Sequence, residues 1–148
     1  MEKTYSHITH HTSTGDAAVS GLFSGLQGGV AMAVVIVSFS LLAGQGLGYL
    51  GYFSAGAPLQ PILGLVGHLA VSSIYGMLYA IARRWLGIER LSWLPGWLAG
   101  LVYGLGLWLL AILVILPAAH SMFLSLSWTF FFTGHIVYGL VLGFRQKP

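Results

Sequence analysis

Two stretches without a single charged side chain constrain this chain more than any other feature. No Asp, Glu, Lys or Arg occurs from Ala17 to Ala82, and none from Leu91 to Phe144. One transmembrane helix needs about 20 consecutive apolar residues, so each stretch is long enough for two. Composition agrees: 57% of the 148 residues are hydrophobic and 6% are charged, against roughly 25% charged in an ordinary soluble domain. The expected fold class is therefore all-α, a polytopic membrane protein with four transmembrane helices and the lipid bilayer as its first partner.

The expected layout is a mobile cytoplasmic tail, residues 1–16, followed by a transmembrane domain, residues 17–148. The tail is polar and rich in Ser and Thr. Its His7, His10 and His11 have the i, i+3, i+4 spacing of one helix face, which makes them weak candidates for a metal. Nothing near them supplies a further ligand, so a solvated tail is the plainer reading. Asp16 suits the N-cap of the first helix, where a carboxylate meets free N–H groups.

The spans are expected at about 21–43, 62–84, 96–116 and 124–144. In the first, Gly21, Gly25 and Gly29 recur every four residues and Ala33 extends the row. Such a ladder lets a neighbouring helix approach closely. Gln27 is the only strongly polar side chain in the middle of that span, and a hydrogen bond across helices is its plainest use. Residues 44–61 hold glycines and two prolines, so they break the helix. Tyr49, Tyr52 and Phe53 in that loop suit a headgroup region, and Pro61 can open the second helix.

The second span carries His68, Ser72, Ser73, Tyr75 and Gly76 and closes on Arg83 and Arg84, read here as charges beyond the apolar core. Trp85, Trp93 and Trp97 form an aromatic girdle on that side. Gly96, Gly100 and Gly104 repeat the ladder in the third span, which Pro117 is expected to stop. His120 falls in a short loop. The fourth span holds His135, Tyr138, Gly139 and Gly143 and leaves through Arg145 and Lys147. Every Lys and Arg lies on the tail side or in the connector between the second and third spans. The excess of positive charge on one side predicts that both termini are cytoplasmic.

The chain reads as one hairpin written twice. Gly96, Gly100 and Gly104 align on Gly21, Gly25 and Gly29 with an offset of 75, and Tyr138-Gly139 aligns on Tyr75-Gly76 with an offset of 63. Ser72 then corresponds to His135. Both halves enter from the same side, so the hairpins would be parallel repeats about an axis along the membrane normal.

Chemistry is sparse. There is no cysteine, hence no disulfide, thiolate site or thiol nucleophile. No carboxylate lies in any span and no basic residue is expected inside one, which argues against an ion pump. Ser72 and Ser73 have no acid to orient a histidine, so no hydrolytic triad can be assembled. The basic residues mark span ends and carry no nucleic-acid footprint. Counted at the helical rise from Arg145, His135 lies about 15 Å in, at the midplane, whereas His68 lies about 22 Å in from Arg83. His135 either makes a structural hydrogen bond or takes a ligand or proton role. A haem held by His68 and His135 would want them level, and they differ by about 7 Å. A quinone or pigment contact from His135 with Tyr138, one turn apart, is a further alternative. No cofactor is the primary expectation.

Three segments carry a resemblance: G-L-F-S-G-L-Q-G-G-V-A-M-A in the first span, W-L-L-A-I-L-V-I-L-P in the third and H-I-V-Y-G-L-V-L-G in the fourth. Through them most of the chain beyond residue 16 resembles small uncharacterised four-helix membrane proteins of bacteria, in which a His-x-x-Tyr-Gly-x-x-x-Gly closing helix recurs. The resemblance implies a bacterial cytoplasmic membrane. It implies no established activity and transfers no catalytic residue.

The function expected from these features is that of a non-catalytic integral membrane subunit packing against other membrane helices, in an energy-transducing complex or as a homo-oligomer. Two alternatives stay open. One is a small-solute channel or carrier with Ser72, Tyr75, His135 and Tyr138 along its path. The other is a haem-, quinone- or pigment-binding protein.

Overall fold

The computed structural model describes residues 13–44, 46, 60–88, 91, 93–118 and 128–146. Among these the regular structure is entirely helical: α1 (Thr14–Leu42), α2 (Gln60–Trp85), α3 (Gly96–Leu110), a π turn (Ala111–Ile115), the short α4 (Leu116–Ala118) and α5 (Trp128–Arg145). Three stretches are long and apolar enough to cross a membrane: Thr14–Leu42, Pro61–Trp85 and Gly96–Ile115. The fourth helix, α5, has 18 residues, about 27 Å at the helical rise. His135 and the terminal Arg145 both fall within it. The expected start of the last span at Leu124 lies outside the described residues, as do His120, Lys147, the tail histidines and the loop residues Tyr49, Tyr52 and Phe53.

Helix α1 begins earlier than its apolar run. Ser13, not Asp16, is its N-cap. The Asp16 amide donates to Ser13 Oγ at 3.1 Å, and the Ser13 amide donates to the Asp16 carboxylate at 2.7 Å. Two orphan N–H groups are satisfied reciprocally, as in a capping box, and this adds nearly two turns ahead of Gly21. The other end stops where Gly44 turns left-handed at φ 72°, a conformation open to glycine at little cost.

Pro117 does not stop the third helix. The chain continues through it to Ala118, and the strain is taken up one turn earlier. Proline has no N–H to donate, and its ring crowds the carbonyl four residues back, that of Leu113. The turn widens in response, and the Leu116 N–H bonds to the Ala111 carbonyl, five residues away. That is a single π turn inside an otherwise α-helical rod.

Helix α1 packs against α2 and α5, and α3 packs against α5. The contacts run in opposite senses along each of these pairs, so the neighbours are antiparallel. The glycine ladders set the spacing. A Cβ built on Gly21 would sit 2.6 Å from the Gly76 carbonyl oxygen, and one on Gly25 2.9 Å from the Gly76 Cα. On the other side, a Cβ on Gly100 would lie 2.6 Å from the Gly143 amide, and one on Gly104 3.0 Å from the Gly139 Cα. Gly76 thus lies between Gly21 and Gly25, and Gly139 between Gly100 and Gly104. The two pairings use one contact scheme, but in a different register from the sequence alignment. Gly100 takes the place of Gly21 and Gly104 that of Gly25, an offset of 79 rather than 75. A Cβ on Gly96 would then lie 2.7 Å from the Gly143 carbonyl oxygen, one turn beyond the scheme of α1. A four-residue ladder looks the same after a shift of one turn, so only the backbone contacts reveal the register.

The apolar core gathers Met32, Ile36, Tyr79, Leu116, Tyr138 and Leu142. At the end away from the arginines, Phe39 stacks on Phe130 at 5.0 Å, and Trp108 meets Phe132 edge-on at 4.9 Å. Trp85, Trp93 and Trp97 are exposed.

Candidate functional site

The polar residues singled out in the sequence converge on the space between α1, α2, α3 and α5. Ser72 follows from the ladder: it lies on the α2 face that meets Gly25 and Gly29, where a Cβ on Gly29 would stand 2.8 Å from its Oγ. Tyr138 reaches the same level from α5, and its hydroxyl donates to the Ser72 carbonyl at 2.6 Å. Gly28 makes this reach possible. A side chain there would meet the Tyr138 ring at 2.8 Å, so the ring occupies space that only a glycine leaves open. His68, one turn before Ser72, places Nε2 3.0 Å from the Gly29 carbonyl oxygen.

His135 turns inward but bonds within its own helix. Its Nδ1 is 2.8 Å from the Phe131 carbonyl, and its ring meets the Phe131 ring edge-on at 4.5 Å. Both histidines are buried. A carbonyl can only accept, so His68 carries its proton on Nε2 toward Gly29 and His135 carries its proton on Nδ1 toward Phe131. This separates the two as ligand candidates. A histidine ligand donates one ring N–H to an acceptor and offers the other nitrogen to the metal. His135 has that arrangement, with Nε2 the nitrogen to offer. His68 has Nε2 engaged by Gly29, so the pair is not arranged for two Nε2 ligands. Level also separates them. Arg83 bonds Gln146 across the bundle, the same offset of 63 that relates Ser72 to His135, and this leaves His68 one turn further from the arginines. The residues do not fit a haem held by both.

Tyr75 belongs to a separate contact. Tyr103, on α3, donates its hydroxyl to the Tyr75 carbonyl at 2.8 Å, and its ring lies 4.9 Å from that of Tyr79. The residues of the expected path therefore divide: Ser72 and Tyr138 meet directly, whereas the Tyr75 carbonyl receives Tyr103 from α3.

The basic end differs most from expectation. Arg83 is 4% exposed and turns into the bundle. Its Nη1 donates to the Gln146 carbonyl, and its guanidinium carbon sits 5.7 Å over the Tyr79 ring. The Gln146 amide in turn donates to Ser24 Oγ at 3.0 Å and Ser20 Oγ at 3.3 Å. A basic residue is thus buried after all. The last turn of α2 offers the negative end of the helix dipole, and α5 presents a free terminal carbonyl at the matching height. Among the described residues, Arg83 Nε, Tyr79 Oη and Trp108 Nε1 are buried without a hydrogen bond. Gln27 differs in the opposite sense. It is exposed, because the faces of α1 that pack on α2 and α5 are those of Gly25, Gly28 and Gly29.

Reasoning from the sequence missed Gly28, Tyr79, Tyr103 and the Arg83–Gln146 pair. The offset of 63 that aligns the tyrosines also aligns Arg83 with Gln146 and could have found the last of these. Among the described residues, no group of three or more His, Asp or Glu side chains gathers that could hold a metal. The tail histidines His7, His10 and His11 lie outside them. Comparison with protein-family models, curated proteins and solved structures finds no match to this chain.

Proposed function

We propose that this chain is a non-catalytic integral membrane subunit of a bacterial cytoplasmic membrane. It has four spans, two parallel hairpin repeats and both termini inside, and it packs against other membrane helices, in an energy-transducing complex in the fullest form of this reading. One observation carries it. Five polar side chains of the interior bond backbone carbonyls: His68 to Gly29, Tyr138 to Ser72, Tyr103 to Tyr75, His135 to Phe131 and Arg83 to Gln146. All but the His135 bond, which stays within α5, run between helices, and such bonds hold helices together where no water competes.

The second reading is a small-solute channel or carrier. In its favour, polar groups from α1, α2 and α5 meet at one level around Ser72 and Tyr138. The test is purification of the full chain in mild detergent, with mass spectrometry and a visible spectrum of the eluate. Stoichiometric membrane partners in a colourless eluate support the subunit reading. A lone protein that conducts solute in liposomes, and loses conduction in His135→Ala, overturns it in favour of the channel. A coloured eluate that bleaches in the same variant overturns both in favour of a haem, quinone or pigment.

A further inference from the structure

The outer faces of the helices are not alike. On α2 the exposed residues between Pro61 and Trp85 are apolar, among them Val66, Val71 and Ile74, and the exposed side chains of α3 are equally apolar. On α1 the outward face carries an amide at mid-helix. Gln27 is thirteen residues from Thr14 and fifteen from Leu42, so in a spanning helix it stands about 20 Å from either end. It is exposed and makes no hydrogen bond among the described residues. The other exposed polar group deep in this face, Ser38, is satisfied by the Val34 carbonyl at 2.7 Å. Hydrocarbon offers Gln27 nothing in exchange, and an unpaired amide there is costly.

The neighbours of Gln27 say what kind of surface it sits on. Phe23, Gln27, Val30, Val34 and Leu41 are all exposed, and their steps of four, three, four and seven are those of a heptad seam. We infer that this face of α1 is a self-association seam, and that its occupant is α1 of a second copy of this chain. All copies insert with one orientation, so a two-fold axis along the membrane normal sets the two α1 helices side by side and parallel. At such an axis Gln27 faces Gln27. An amide both donates and accepts, so two of them satisfy each other, as no pair of like charges could. A single polar residue in an apolar seam also sets register. The glycine faces of α1 are already occupied by α2 and α5, so a second copy on this seam would displace nothing. The inference rests on the subunit reading only in naming one neighbour of that subunit.

The chain has no cysteine, so single-cysteine variants report cleanly. Phe23→Cys, Val30→Cys and Val34→Cys of the full chain, oxidised in native membranes, are expected to give disulfide-linked dimers. Val71→Cys and Val102→Cys on the outer faces of α2 and α3 are not. Adding Gln27→Leu to Val34→Cys should lower the dimer fraction by roughly threefold to thirtyfold. Gln27 is exposed, so folding should survive, and the cysteine series stands even where it does not. Seam positions that cross-link no better than Val71 or Val102 overturn the inference, as does a dimer indifferent to Gln27→Leu. If Val34→Cys is found near a different polypeptide that co-purifies, the second copy is wrong and the subunit reading stands. If the chain dimerises through the seam and no other subunit accompanies it, the seam stands and the assembly with other subunits fails.

Discussion

Replacing Gly139 by alanine puts one methyl group where the backbone of α3 already lies. The added Cβ would stand 3.1 Å from both the Gly104 Cα and the Gly100 carbonyl carbon, and closer still to the Gly100 oxygen. Carbon atoms prefer about 3.5–4.0 Å, and a backbone neighbour cannot rotate away. Helices α3 and α5 must therefore separate by roughly 0.5–1 Å, enough to forfeit a quarter to a half of each contact, itself about 0.1–0.2 kcal/mol. Summed over the few tens of atom pairs along this seam, the loss is about 1–3 kcal/mol, the usual range for overpacking. Alanine also gains helix propensity, about 1 kcal/mol in a soluble helix, which would blur the reading of a single variant. Gly106→Ala removes that ambiguity, because a Cβ there meets nothing within 4 Å and shares the propensity gain. The quantity to measure is the difference in unfolding free energy between the two variants, by SDS titration in bicelles followed through the tryptophans. Gly139→Ala should be less stable than Gly106→Ala by about 1–3 kcal/mol. A difference under about 0.5 kcal/mol, smaller than such a clash allows, would refute backbone contact as the basis of the α3–α5 seam.

The same titration should find Tyr138→Phe less stable by about 0.6 kcal/mol and at most about 1.7 kcal/mol, the average and upper values for interhelical hydrogen bonds in membranes, because only the bond to the Ser72 carbonyl is lost. Arg83→Leu should release the end of α5: amide exchange at Phe144, Arg145 and Gln146 should rise roughly tenfold, while exchange at Gly100 and Gly104 stays unchanged. Pro117→Ala should let the π turn tighten, so that the Leu116 N–H moves from the Ala111 carbonyl to that of Ile112. Carbonyl chemical shifts would show the move, with a stability change under about 1 kcal/mol.

What the sequence made legible followed from solvent and from spacing. Charge-free runs long enough to span, and glycines every four residues, are consequences of the bilayer and of the helical repeat. They led to the helices and to the faces on which Gly25, Gly76, Gly100 and Gly139 meet. What was not legible depends on rotation about the helix axis and on register, which a periodic pattern leaves open. Gln27 and Gly28 are adjacent, yet one turns outward and the other receives Tyr138. Arg83 and Arg84 look equivalent as stop residues, yet Arg83 is the one buried against Tyr79. The capping role of Ser13 was legible in principle, since Ser13 and Asp16 have capping-box spacing. It was masked by the more familiar expectation that the acidic residue itself caps.

The α1–α2 and α3–α5 pairs share a contact scheme, but the contacts between the pairs differ. At the register found here, the residue of α3 corresponding to Gly28 is Leu107, which packs against the core. Tyr138 can pass close to α1 because Gly28 is bare, whereas the corresponding place on α3 holds Leu107. The second half solves the problem from the other side: Tyr103, whose counterpart on α1 is Ser24, extends from α3 to the Tyr75 carbonyl. One junction is thus close, with a tyrosine against a glycine, and the other is bridged by a tyrosine standing between helices. Ser24, relieved of spanning a gap, accepts from Gln146 instead. Exchanging the pair, with Gly28→Leu and Leu107→Gly in one chain, should favour the mirrored arrangement if the register is right. Gly28→Leu alone should expel the Tyr138 hydroxyl from Ser72, and a Tyr138 ring unmoved by that change would show the register to be wrong.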